Sequence, residues 1–95
     1  MPSYRLILSV ANLLGDVSPE QILPRSADAL RKHVNVESFD LRITRGVPQL
    51  ILRFTADDPV HARTASAQAH NEISSFIEVT RAQTLQRVHG RWEYI

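Results

Sequence analysis

This chain of 95 residues contains no cysteine, only three glycines and a single lysine. The absence of cysteine excludes disulfide bonds, thiolate metal sites and cysteine nucleophiles. The glycines are isolated along the chain, so no glycine-rich loop can wrap a phosphate group. No apolar run approaches the length of a bilayer-spanning helix, and no targeting segment precedes the first strand-like run. We therefore expect a cytoplasmic protein that does not act at a membrane.

The charges nearly balance, with eleven basic and ten acidic residues and a formal net charge of +1. Overall charge therefore gives no reason to expect nucleic acid as a partner. Ten of the basic residues are arginine and only Lys32 is lysine. Arginine binds carboxylates and phosphates through a planar fork of donors, so the positions of the arginines matter more than their number. A G+C-rich genome would produce the same bias without any functional cause.

Apolar periodicity divides the chain into strand-like and helix-like segments. The strand-like segments alternate between apolar and polar residues and cover 4–10, 36–44, 49–55, 78–88 and a short end at 91–95. The helix-like segments begin near Ser18 and Asp58. The order β-α-β-β-α-β predicts a single α+β domain over 1–95 with a ferredoxin-like split βαβ topology. We expect a four-stranded antiparallel sheet with two helices on one face and, at the C-terminus, a possible fifth strand.

Both helices have recognisable starts. Ser18 with Gln21 resembles a capping box, and Asp57-Asp58-Pro59 combines acidic caps with a proline in the first turn. Pro24 predicts either a break or a kink in the first helix. The second helix has an apolar stripe that begins with alanines, so we expect it to approach the sheet closely: Ala62, Ala65, Ala69, Ile73 and Phe76.

Alternation assigns the strand side chains to two faces. In the second strand, Phe39, Leu41 and Ile43 are predicted to point towards the core. The last strand changes parity between Val79 and Val88, which predicts a β-bulge. With the strand order 4-1-3-2, the sheet face away from the helices is left open. Its residues mix arginine with branched aliphatics, and we select as candidate binding or interface residues Arg5, Ile7, Arg42, Ile51 and Arg53.

Three hypotheses account for this open face. It could be a solvated surface on which arginine stems cover their neighbours. It could bury Ile7 and Ile51 against a second copy of the chain, which we favour because two-fold dimers are the commonest oligomers. It could also bind an anion or nucleic acid through Arg5, Arg42 and Arg53. The near-neutral charge and the lack of outward aromatics on the third strand make nucleic acid the less expected partner.

No residue pattern predicts a catalytic or metal site. His61 and His70 are nine residues apart on one predicted helix, which places them on opposite sides. Asp57 and Asp58 are better explained as helix caps than as a catalytic pair. We predict no cofactor and no metal. The segment Trp92-Glu93-Tyr94 is expected to pack over an edge of the core, and Trp92 is a further candidate interface residue.

The topology is similar to that of acylphosphatases and of dimeric α+β-barrel proteins, some of which are cofactor-free enzymes. Acylphosphatase activity would need an arginine directly after the first strand, whereas this connector reads Ala11-Asn12-Leu13-Leu14-Gly15-Asp16. The favoured hypothesis is a binding or assembly module that self-associates through its open sheet face or C-terminal edge. The alternatives are a small-molecule enzyme of the α+β-barrel type, with a cavity between sheet and helices, and an arginine-mediated anion binder.

Overall fold

A computed structural model describes all residues from Met1 to Ile95. Five strands and two helices follow the predicted order, and their bounds are β1 Ser3–Leu13, α1 Pro19–Arg31, β2 Asn35–Thr44, β3 Val47–Thr55, α2 Pro59–Ile73, β4 Ile77–Val88 and β5 Arg91–Tyr94. All strand pairs are antiparallel, and the sheet order is β2-β3-β1-β4-β5. The ferredoxin-like topology is confirmed, and the short C-terminal segment is a fifth strand beside β4.

Two turns with positive φ connect the hairpins. Arg45 and Gly46 have φ angles of 52° and 79° between β2 and β3, and His89 and Gly90 have 49° and 79° between β4 and β5. Two consecutive positive φ angles characterise the type I′ turn, whose twist matches that of the strands it joins. Glycine at the second position avoids the cost of a Cβ there. The bulge predicted for β4 lies where its pairing with β1 shifts register after Ser9.

The helices begin as the sequence predicts. The Ser18 N–H donates to Gln21 Oε1 at 3.0 Å, and Asp58 Oδ1 accepts from the His61 N–H at 2.7 Å. Pro24 does not divide α1, which runs through it to Arg31. Because Pro24 is on the exposed side of the helix, the Glu20 carbonyl that loses its N–H partner can be hydrated. The cost of an internal proline is smallest in such a position.

The core lies between the helices and one face of the three inner strands. Its fully buried strand residues are Tyr4, Leu6, Leu8, Leu50, Leu52, Phe54 and Ile77. The predicted stripe of α2 is buried along its whole length, from Ala62 to Phe76. Neither helix combines the length and apolar composition needed to cross a membrane.

The prediction that Phe39, Leu41 and Ile43 belong to the core is wrong. They are on the helix side of the sheet, as alternation requires, but their exposed fractions are 40%, 44% and 65%. The neighbouring residues on β3, Leu52 and Leu50, are fully buried. The helix layer thus covers β3 completely but leaves Phe39, Leu41 and Ile43 of the edge strand β2 partly exposed, although Arg31 of α1 lies over the Phe39 ring.

Tyr4 combines a buried aromatic ring with a polar hydroxyl group. Its ring stacks on Phe54 with 5.6 Å between centroids, but its hydroxyl is buried without a hydrogen-bond partner. Burial, followed by the charge of Asp58, raises the pKa of Tyr4 above its ordinary value. A raised pKa contributes stability that is complete below the unfolded pKa of 10.0 and is lost as pH rises through the folded pKa.

We expect Tyr4→Phe to raise the free energy of unfolding by about 1 kcal/mol at pH 7, because it removes an unpaired buried hydroxyl. The variant should also lose less stability than the parent above pH 10. Urea unfolding at pH 7 and at alkaline pH measures both effects. A loss of more than about 1 kcal/mol at pH 7 would mean that the hydroxyl has a partner, such as a buried water.

Candidate anion-binding face

The open face of the sheet contains all six candidate residues selected from the sequence. Strand register places Arg5 directly opposite Arg53, and Ile7 opposite Ile51. Arg42 is opposite Gln49 on the same side. Trp92 reaches this face from β5, where it is opposite Arg87. The expectation that Trp92 packs over an edge of the core is therefore wrong, since it lies on the open face.

Trp92 is surrounded by three arginines. The guanidinium carbon of Arg5 lies 4.2 Å from the centroid of the Trp92 rings, and those of Arg53 and Arg87 lie at 5.5 and 6.0 Å. These distances are within the range in which a cation is attracted by the aromatic face. We call Trp92, Arg5, Arg53 and Arg87 the Trp92 cluster. Its members come from four of the five strands, of which β1 and β3 are far from β4 and β5 in the sequence.

Arginine faces arginine at the centre of the cluster. Like charges directly opposite each other on neighbouring strands destabilise a sheet. Burial lowers the pKa of Arg5 below its ordinary value, and the charges of three other arginines lower the pKa further: Arg42, Arg53 and Arg87. Arginine nevertheless stays protonated near neutral pH. The face therefore carries closely spaced positive charges that cost stability.

Few acidic groups compensate these charges. Glu37 Oε1 lies 3.6 Å from Arg53 Nε, which is an ion pair too long for a hydrogen bond, and the same carboxylate accepts from the Ser3 hydroxyl at 3.3 Å. The Nε atoms of Arg5 and Arg53 are both buried and have no hydrogen-bond partner. Charged donors that are removed from water without an acceptor are costly, and an anion placed between them would supply the acceptor.

Arg81 is a further arginine of this face, and its donors are already engaged. Arg81 is opposite Ser9. The amide oxygen of Gln83 is assigned to face the guanidinium of Arg81. In this orientation the oxygen accepts from Arg81 Nη2 at 2.8 Å and from Arg81 Nε at 3.1 Å. Gln83 also lies 3.3 Å from the Tyr94 hydroxyl. Arg81 therefore has fewer free donors than the arginines of the Trp92 cluster.

Arg87 is the residue that the sequence analysis missed. It shares its parity with Arg81 and Leu85, so strand alternation would have placed it on the open face. Its contact with Trp92 could not be found in this way, because it depends on β5 folding back beside β4 across the His89-Gly90 turn. Leu85 is only 8% exposed although it is on the open face, so the neighbouring side chains cover it.

The opposite side of the sheet has a cleft. It has a volume of about 270 Å³ and lies between α2 and β4. Its polar residues are Arg63, Ser66, His70 and Thr84. The Ser66 hydroxyl is buried without a hydrogen-bond partner. Small alanine side chains on both walls, Ala67 and Ala82, leave the space.

The histidines and carboxylates do not form a metal cluster: no group of three or more such side chains comes together. Asp57 and Asp58 serve the start of α2, where Asp58 caps the helix and Asp57 lies 3.7 Å from His61 Nδ1. Comparison with models of protein families, with curated proteins and with solved structures finds no match for this chain.

Proposed function

We propose that this chain is a binding module whose open sheet face takes an anionic ligand with phosphate or carboxylate oxygens. The observation that supports the proposal is the pair of buried, unpartnered Nε atoms on Arg5 and Arg53 beside Trp92. Three guanidinium groups converge on one aromatic ring, and only Glu37 compensates them closely. An anion at this position would relieve the repulsion among the arginines and satisfy their donors.

The fluorescence of Trp92 can report binding at the site, since Trp92 is the only tryptophan of the chain. We expect titration with inorganic pyrophosphate to change the Trp92 fluorescence in a saturable way. The apparent affinity should fall steeply as sodium chloride is added, because chloride screens the exposed charges and competes for the same donors. Calorimetry at two salt concentrations provides an independent measurement.

A matched variant pair locates the binding site. Arg53→Met should weaken pyrophosphate binding, whereas Arg25→Met should leave it unchanged. Arg25 is a suitable control because it also lies over an aromatic ring, 4.1 Å from the centroid of Phe76, but has no second arginine beside that ring. An absence of any saturable signal, or equal losses in both variants, would contradict the proposal. A short polyglutamate peptide in place of pyrophosphate distinguishes carboxylate from phosphate ligands.

Self-association through the open face or the C-terminal edge is a second candidate function, with a homodimer as the product. The adjacent Ile7 and Ile51, both half-buried, and the 69% exposure of Tyr94 support it. Stacking two such faces about a two-fold axis would, however, bring one set of arginines close to the other. We therefore favour an anionic ligand on this face. Ile7→Asp combined with Ile51→Asp would produce a folded monomer if the face were a dimer interface.

A small-molecule enzyme of the α+β-barrel type is the other alternative, and the cleft beside Ser66 is the observation that favours it. Its test is a ligand whose binding is sensitive to a bulky replacement of Ala67, which lines the cleft, and insensitive to Arg53→Met. We also propose that the protein is cytoplasmic.

A further inference from the structure

The second strand presents a free edge with an unusual apolar surface. β2 is ten residues long and lies at the outside of the sheet, with no strand or helix beyond it. Three apolar side chains on its helix side, Phe39, Leu41 and Ile43, are at least 40% exposed, whereas Val36 at its start packs against the core. Natural proteins usually protect such edges with lysine, proline or a very short strand. β5, at the other edge, has only four residues, whereas β2 has no lysine or proline and its one bulge, between Val36 and Ser38, leaves the segment 38–44 regular.

The backbone groups of this edge are available in a regular pattern. The two-residue turn at Arg45-Gly46 closes on the Thr44–Val47 pair, which bonds across the hairpin. Alternation then directs the N–H and C=O groups of Phe39, Leu41 and Ile43 away from β3. In agreement, the Leu41 N–H donates to the carboxylate of Asp40 at 2.8 Å and not to the neighbouring strand.

The sequence of β2 is complementary to itself in one antiparallel register. With a two-fold axis at Leu41, Asp40 of each copy is opposite Arg42 of the other, so two opposite-charge pairs form on the open side of the sheet. Phe39 is opposite Ile43 and Leu41 opposite Leu41, so the apolar pairs collect on the helix side. Ser38 is opposite Thr44. Cross-strand pairs of these kinds each stabilise a sheet, and no like charges face each other among them.

We propose that two copies of this chain pair through their β2 edges, with the two-fold axis perpendicular to the sheet at Leu41. The outward N–H and C=O groups of Phe39, Leu41 and Ile43 would form six hydrogen bonds between the copies. The Leu41 N–H exchanges its Asp40 acceptor for the Leu41 carbonyl of the second copy, and Asp40 turns to Arg42 of that copy. The product is a continuous ten-stranded sheet with both Trp92 clusters on the same face.

This interface is independent of the anion site. It uses the edge of β2, the apolar residues on its helix side, and Asp40 and Arg42 on its open side, whereas the Trp92 cluster lies on the open face towards β5. The dimer can therefore exist whether or not an anion binds. The pairing also accounts for the partial exposure of Phe39, Leu41 and Ile43, since the second copy would cover them further.

Exchanging the charges of Asp40 and Arg42 tests the proposed register. Asp40→Arg should weaken the dimer about tenfold or more, because two attractive pairs become two repulsive ones. Arg42→Asp should do the same by placing aspartate opposite aspartate. The double variant restores both attractive pairs and should dimerise as the parent does. Sedimentation equilibrium over a wide range of protein concentration measures each dissociation constant, and circular dichroism establishes that each variant is folded.

A second pair of variants tests the apolar contact at the axis. Leu41→Lys brings two cations together and should give a monomer. Val60→Lys is the control, since Val60 is a 63% exposed apolar residue on α2, away from β2. It should leave the dimer intact. A parent chain that is monomeric at all concentrations overturns the proposal. A dimer that responds neither to Leu41→Lys nor to the single charge changes overturns it as well, and assigns the interface to another surface.

Discussion

Replacing Arg5 by methionine is expected to lower the affinity for pyrophosphate about tenfold or more while raising the stability of the free protein. The loss of affinity follows from the removal of a charge-assisted hydrogen bond, which contributes about 1.5–3 kcal/mol. The gain in stability follows because Arg5 is partly buried, lies opposite Arg53 and has no acceptor for its Nε. Methionine keeps the flexible apolar stem that covers Trp92 without the charge.

The expected increase in the free energy of unfolding is about 1 kcal/mol, within the range found when buried ionic groups are replaced by apolar ones. Urea unfolding measures it, and fluorescence titration of Trp92 measures the affinity. Arg25→Met, which removes a single arginine over Phe76, should produce neither change. If Arg5→Met destabilised the protein and left pyrophosphate binding unaltered, Arg5 would be a structural residue and the proposed anion site would be wrong.

The opposite signs of these two effects distinguish a binding site from a solvated surface. Arginines that only cover their neighbours would lose packing on substitution and give a small loss of stability. Arginines arranged for a ligand store unfavourable interactions in the free state, which the ligand then relieves. Binding of pyrophosphate should accordingly raise the unfolding temperature of the parent more than that of the Arg5→Met variant.

Phe54→Ala is expected to lower the free energy of unfolding by about 3–5 kcal/mol, the usual range for removing a buried aromatic ring. Phe54 is fully buried and stacks on Tyr4, so its removal leaves a cavity that the surrounding side chains cannot fill. For a domain of this size, such a loss is a large part of the total stability.

Phe39→Ala provides the matched comparison, because Phe39 is on the same side of the sheet but is 40% exposed. The guanidinium carbon of Arg31 lies 5.3 Å from the centroid of its ring. Measured on the monomer, at concentrations below the dimer range, Phe39→Ala should cost less than about 1 kcal/mol. Urea unfolding of both variants measures the two losses in the free energy of unfolding. Equal losses would mean that β2 is part of the core after all.

The two phenylalanines also show how far sequence patterns reach. Alternation correctly assigned Phe39 and Phe54 to the same side of the sheet, since the strand repeat of two residues is a local property of the backbone. It could not distinguish the buried ring from the exposed one. That difference depends on how far the helix layer extends over the sheet, which is set by the lengths and packing of α1 and α2.

The Trp92 cluster also depends partly on local patterns and partly on tertiary packing. The sequence by itself determined the order of the elements, the caps of both helices, the bulge and the open face with Arg5 and Arg53, because these depend on residues close together in the chain or on alternation. Only the tertiary structure decided that Trp92 lies on the open face and that Arg5 and Arg53 approach it from β1 and β3. These two contacts join residues far apart in the chain, which no local pattern specifies, whereas the Arg87–Trp92 pair lies within one hairpin. The free edge of β2 likewise became visible only when the strands were arranged in space.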